Sequence, residues 1–231
     1  MEQKNPITIK GKTLPYYPRI LVNDGSEPRL NISVAKENLS IFKNIADKNN
    51  LPVFLMYGTL LGAVRERAFI AHDSDTDLTI HKKHEDILLE MIPELEKEGL
   101  LFVRYIKFTL FNKGSITYSF MKDEMWIDVY IMQKTLTGYI ILGRKYPKRF
   151  FDKCDSIIFY NNEYLIPHSH ENFLTYAYGP DWKTPKPGDH SSRVKTIFSI
   201  RLYIFLSRSL SSVPFVKNFL KKIARFITQV N

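Results

Sequence analysis

The sequence predicts a mixed β-sheet with helices packed against it, α+β or α/β in class. Three observations carry this. Amphipathic helical runs alternate with short apolar runs as far as residue 95, and several β-rich runs then follow one another directly. A composition of 44% hydrophobic and 25% charged residues belongs to a chain that fills a core, which excludes disordered and collagenous classes. No internal repeat or low-complexity segment interrupts the pattern.

Residues 1–32 are rich in Pro, Gly and polar side chains and predict an extended lead-in. From Ser33 to Asn50, Val34, Ile41, Phe42, Ile45 and Ala46 recur at helical spacing, with Ser33 as the expected cap. Pro52 to Met56 predicts a buried strand, Thr59 to Arg67 a helix, Ala71 to Ser74 a turn and Asp75 to Ile80 a second strand. Ile87, Leu88, Met91, Ile92 and Leu95 define another amphipathic helix, with a bend expected at Pro93. Strands are expected over Leu100–Phe111, Ser115–Met121, Met125–Met132 and Gly138–Leu142, the first two joined by an Asn112-Lys113-Gly114 turn. Tyr178 to Gly188, dense in Pro, Gly and Trp, predicts an ordered crossing, so that the main domain is expected over 33–190 and a helical tail over 191–231.

The chain has 231 residues and a formal net charge of +9. All of that excess lies from Lys183 onward, where Asp189 is the one acid, so the preceding chain is neutral. The single cysteine, Cys154, excludes an internal disulfide framework and a four-cysteine zinc site, suits a reducing compartment, and is expected to be an ordinary buried thiol. The opening residues carry no apolar run behind a basic segment, and no stretch reaches the roughly 18 apolar residues of a spanning helix, so neither a signal peptide nor a membrane span is expected.

The chemistry concentrates in two places. On a strand, Asp75 and Asp77 point to one side, and their mutual repulsion is relieved by a cation; hard oxygen donors at this spacing favour Mg2+ or Mn2+ and leave room for substrate phosphates. Asp128, inside Trp126-Ile127-Asp128-Val129-Tyr130, sits among apolar neighbours that disfavour an unpaired charge, which marks it as a ligand or general base. Gly58-Thr59, between a predicted strand and helix, offers amides to a phosphate. Together these predict metal-dependent phosphoryl or nucleotidyl transfer. A lone pair of this kind is more often a solvated strand edge, and a Gly-Thr pair more often a helix cap.

Gly58-Thr59-Leu60-Leu61-Gly62-Ala63-Val64-Arg65, the Asp73-x-Asp75-x-Asp77 run and Tyr178-Gly179-Pro180-Asp181-Trp182 with Pro185 resemble the LicD family, which includes bacterial phosphocholine transferases and the catalytic domains of fukutin and fukutin-related protein. The resemblance covers roughly residues 35–188. It implies an α+β, nucleotidyltransferase-like mixed sheet and transfer of a phospho-substituent from a CDP-linked donor to a glycan hydroxyl, with CMP released. It makes Asp75 and Asp77 metal ligands with Asp73 beside them, and Asp128 a third ligand or the base. It puts Gly58 and Thr59 on a phosphate-binding turn, Arg65 near the pyrophosphate, and Tyr178, Asp181 and Trp182 on a substrate-side loop. His72 and Tyr130 stand where the family often has Trp and Phe. The alternative is a nucleotidyltransferase acting on a small molecule or RNA.

His81, His84, His168 and His170 lack a convincing third zinc ligand and are expected in surface or loop positions. In the tail, Val216, Phe219, Leu220, Ile223 and Ile227 share one helical face and Lys217, Lys221, Lys222 and Arg225 the other, with Pro214 in the first turn. This pattern over 213–229 predicts attachment to an anionic membrane surface, and hence a cytoplasmic protein held peripherally at the inner face and a lipid-linked or cell-surface glycan as acceptor. Because the cations alternate with Phe, Ile and Leu, nucleic acid is not the expected partner.

Overall fold

The computed structural model describes residues 4–18, 29–110, 113–185 and 194. The tail over 195–231, with the expected helix at 213–229 and the boundary at 190, lies outside these residues, as does Asn112 of the expected turn. Among the described residues no helix is long and apolar enough to cross a membrane.

Within the stretch expected as an extended lead-in, residues 5–16 instead form a hairpin, β1 (Asn5–Ile9) and β2 (Lys12–Tyr16). Lys10 and Gly11, at φ +52° and +78°, supply the tight turn that hairpins prefer. Ile7, Ile9, Leu14 and Tyr16 are buried. A row of ion pairs, Lys10–Asp86 at 2.6 Å, Lys12–Glu90 at 2.6 Å and Lys4–Glu96 at 2.6 Å, aligns the hairpin along α3 (Glu85–Lys97). Helix α1 (Ile32–Lys48) is capped by Asn31, whose side chain accepts the Ser33 and Val34 amides; Ser33, the expected cap, is already inside the helix.

Strand β3 (Phe54–Leu55) leads into α2 (Tyr57–Arg65), and β4 (Asp75–His81) follows. After α3, which retains Pro93 within it, come β5 (Leu101–Leu110), β6 (Lys113–Lys122), β7 (Met125–Thr135) and β8 (Gly138–Ile141). Beyond the expected elements lie β9 (Arg144–Tyr146), β10 (Cys154–Phe159), β11 (Asn162–Pro167) and α4 (His170–Tyr178). The main sheet runs β10-β11-β3-β4-β7-β6-β5, with β8 paired to β7 and β9 to β8. The β4–β7 and β11–β3 pairs are parallel and the others antiparallel, which makes this a mixed α+β fold.

Alternation along the strands gives the sheet two different faces. Leu78, Ile80, Ile127, Val129 and Phe120 face α1, where Phe42 meets the Phe120 ring at 5.8 Å. The opposite face carries Asp75, Asp77, Asp128 and Tyr130, and the Tyr57 ring at the start of α2 packs edge-on to Tyr130 at 5.3 Å. Cys154, expected to be buried, is exposed at the start of β10.

In α2, Gly62 is required by space: a Cβ there would lie 2.5 Å from the Ala68 carbonyl oxygen. Gly→Ala inside a helix ordinarily gains about 1 kcal/mol, but the atom in the way belongs to the backbone and cannot rotate aside. Gly62→Ala therefore lowers stability by about 1–3 kcal/mol, measured by denaturant titration; an unchanged or higher midpoint would show that the loop after α2 yields.

Candidate active site

The parallel β4–β7 register sets Asp77 directly beside Asp128. The row continues outward, with Ser119 of β6 opposite Asp128 and Arg104 of β5 opposite Ser119. Arg104 reaches along this row: Nε donates to Ser119 Oγ at 2.9 Å, and Nη2 donates to the two Asp128 oxygens at 3.1 and 2.8 Å. Its guanidinium lies 5.2 Å from the Trp126 ring centre. A bulge between Phe102 and Arg104 explains its direction. Phe102 pairs with Phe120 on the helix-covered face, and regular alternation would send Arg104 there too; the extra residue turns it to the acidic face.

Asp77 is 7% exposed and tied from three sides. The Gly58 amide donates to Oδ2 at 3.1 Å, the Tyr130 hydroxyl donates to Oδ1 at 2.8 Å, and the Asp77 amide donates to Thr59 Oγ1 at 2.8 Å. The Tyr130 hydroxyl also approaches Asp128 Oδ2 at 3.4 Å. Burial above all, then the charges of Asp75 and Asp73, hold the Asp77 carboxyl well above the usual carboxylate range, with the Tyr130 hydrogen bond working against them. Asp73 leans on the start of α2, where a Cβ at Gly58 would meet its Oδ2 at 2.2 Å.

Asp73, Asp75 and Asp77 thus place clustered hard oxygen donors in a setting that penalises their charge, and Arg104 offsets only Asp128. A hard divalent cation fits this donor chemistry. Asp75 and Asp77 could hold it, with Asp73 adjacent. Among the described residues no three His, Cys, Asp or Glu side chains are already gathered at ligand spacing. Asp128, expected as a ligand or base, has both oxygens engaged by Arg104, which sets it apart from the other acids.

The family model for the LicD/FKTN/FKRP nucleotidyltransferase domain matches residues 50–170, just over half of the chain. The chain belongs to the LicD family. Membership points to a transferase of the phosphotransferase type. Two relatives are uncharacterized protein RP689 of Rickettsia prowazekii, 28% identical over 90% of this chain and 73% of its own length, and uncharacterized protein RT0683 of Rickettsia typhi, 28% identical over 70% of this chain and 48% of its own length. Among solved structures, that of the antibiotic-resistance factor ANT(2'')-Ia in solution aligns at TM-score 0.46 and 16% identity over 84% of this chain and 94% of that one. The crystal structure of ANT(2'')-Ia with adenylyl-2''-tobramycin gives 0.42 and 17% over 82% and 98%.

In this LicD domain several of the residues expected at the substrate make contacts that pack the fold. Thr59 is fully buried, and its hydroxyl latches α2 to the β4 backbone. Arg65 lies at the far end of α2 from Gly58: its Nη2 pairs with Glu66 at 2.5 Å and its Nη1 donates to the Trp182 carbonyl at 3.3 Å. It fastens the 178–182 segment to the helix instead of facing the acids. Trp182 is buried and donates through Nε1 to Thr175 at 3.2 Å, while Asp181 is exposed. Tyr178 does reach the site. Its hydroxyl is buried without a hydrogen-bond partner among the described residues, and its pKa is pushed up by burial first and then by Asp77.

The LicD site also contains residues that the sequence left unmarked. Besides Arg104, Arg144 stands 5.8 Å from the Tyr57 ring centre and donates to the Val194 carbonyl at 3.1 Å. Tyr130, noted only as a departure from the family pattern, supplies the hydroxyl that joins Asp77 and Asp128. The histidines divide. His168 and His170 share Asp155, at 2.9 and 3.6 Å.

His81, expected at the surface or in a loop, ends β4 half-buried between the Phe54 and Tyr139 rings at 5.8 and 5.7 Å. Burial, then Lys83, His84 and Lys134, lower its pKa to about 4 from an ordinary 6.5. As pH falls below that ordinary value the unfolded chain takes up a proton that the folded chain refuses, so the contribution of His81 to stability drops between pH 6.5 and about 4. Asp77 pulls the other way as pH falls, so the measurement is a comparison: the melting temperature of the wild type relative to that of His81→Gln is expected to fall across this window.

Proposed function

We propose that this LicD domain transfers a phospho-substituent, such as phosphocholine or a polyol phosphate, from a CDP-linked donor to a glycan hydroxyl, releasing CMP. The observation that supports this most directly is the registered row Asp77–Asp128–Ser119–Arg104, with Asp75 on the same face as Asp77. It sets acids that fit a hard cation next to an acid whose charge is already matched by arginine, so two carboxylates side by side are given different work.

When bound, Mg2+ or Mn2+ at Asp75 and Asp77 would supply neutralisation of the donor's phosphate charge. Tyr130 and the Gly58 amide fix the orientation of Asp77, and Arg104 fixes that of Asp128. The acceptor hydroxyl oxygen forms a bond to the donor phosphorus while the bond from that phosphorus to the CMP oxygen breaks. Asp128 receives the hydroxyl proton, a role that fits an oriented carboxylate outside the ligand set. Positioning and charge complementarity carry most of the acceleration, as in other phosphoryl transfers. The acceptor is proposed to be lipid-linked or under assembly at the inner face of a membrane, with the basic stretch 213–229 as one means of attachment.

The test is CMP release, read by mass spectrometry, from a panel of CDP-linked donors with Mg2+ or Mn2+, with Asp75→Ala as control. Metal-dependent release from one donor, absent in the control, is expected and names the transferred group. Turnover of ATP or CTP, with the CDP-linked donors silent, would overturn the reading in favour of nucleotidyl transfer to a small molecule or RNA.

A further inference from the structure

Further along the acidic face of β4, at its other end, the charge reverses. His81, Lys82, Lys83 and Lys134 line a cavity of about 600 Å3 whose one carboxylate is Asp152. That carboxylate is already engaged, accepting from Lys134 Nζ at 2.9 Å and from the Tyr139 hydroxyl at 2.8 Å. Lys82 and Lys83 are exposed and have no acidic partner among the described residues. His81 is kept neutral first by burial and then by the nearby Lys83, His84 and Lys134.

A second feature adjoins the cavity. The turn between β7 and β8 presents Leu136 with 90% of its surface exposed, two residues beyond Lys134. Lys145 of β9 flanks the same hairpin, its side chain lying along Gly138. A leucine held out on a rigid hairpin beside several lysines combines an apolar tip with a cationic collar. A soluble anion or a nucleic acid would use the lysines but leave the leucine in water; a lipid interface uses both.

We propose that this edge is a docking site for an anionic membrane surface, with Leu136 entering the interface and Lys82, Lys83 and Lys134 binding lipid phosphates. The site is independent of the basic tail and of the reaction assigned to the acids. His81 lies four strand steps from Asp77 along β4, so docking holds the acidic cluster within about 13 Å of that edge.

The full chain carrying Cys154→Ser and Leu136→Cys, labelled at residue 136 with an environment-sensitive fluorophore, tests this. Vesicles of phosphatidylcholine with phosphatidylglycerol are expected to shift the emission to the blue, with quenching by brominated acyl chains, and vesicles of phosphatidylcholine alone to do neither. Lys82→Glu with Lys83→Glu, both at exposed positions, weakens the response at least about tenfold. Three outcomes would overturn the proposal: co-sedimentation with anionic vesicles without a blue shift, which would place attachment elsewhere in the chain; an equal shift on neutral vesicles; or complete displacement by inorganic phosphate, which would mark a site for a soluble anion.

Discussion

Asp77→Asn is expected to lower turnover by on the order of 10³-fold or more while leaving the protein as stable as before, or more so. The two halves have one origin. Asp77 is buried beside Asp75, Asp73 and Asp128, and its carboxyl is pushed well above the usual range. A group shifted that way contributes stability at low pH and loses it as pH rises through its folded value, so at neutral pH the charge is a burden on the fold. Asparagine is nearly the same shape, keeps an oxygen for the Gly58 amide or the Tyr130 hydroxyl, and removes the repulsion. It also removes a ligand oxygen charge from the site. Melting temperature and CMP release measured on one preparation decide the matter; a variant that is less stable and still active would sink the assignment of Asp77 to the chemistry.

The second large effect is expected at Arg104. Asp128 has only 7% of its side chain exposed, and Arg104 covers both of its oxygens. Removing one partner of a buried pair leaves the other charge uncompensated, so Arg104→Met should cost about 3 kcal/mol in denaturant unfolding. Adding Asp128→Asn should recover much of that loss, since the stranded charge is then gone. In the same cycle Asp128→Asn alone should lose turnover. Strict additivity of the two stability changes would show that the ion pair contributes nothing beyond its separate halves.

Much of this architecture was legible in the chain. The helices and strands from residue 33 to 141 follow from spacing because their apolar faces are regular. The acids were legible as a candidate site only in combination, since an Asp-x-Asp pair alone is more often a solvated strand edge and it was Asp128, within an apolar strand, that shifted the balance. The features that escaped notice depend on tertiary neighbours. The N-terminal hairpin hid behind its prolines and polar residues, although Lys10-Gly11 between Ile7/Ile9 and Leu14/Tyr16 was a turn signal. Thr59 and Arg65 fitted a phosphate site by position, but a hydroxyl latched to β4 and a guanidinium turned toward Trp182 are matters of packing. Cys154, with no motif around it, read as an ordinary buried thiol, yet its position is on the exposed alternation of an edge strand.

The bulge in β5 bears on how this site depends on strand register. Arg104 reaches Asp128 because one additional residue shifts the alternation after Phe102. A slip that took Val103 into the ladder opposite Ser119 would keep every acid and the arginine itself, yet would turn the arginine to the apolar face beneath α1. Loss of Val103 would not, because an arginine directly after Phe102 alternates to the acidic face without any bulge. In this chain, the register between Phe102 and Arg104 is as much a component of the site as the side chains are.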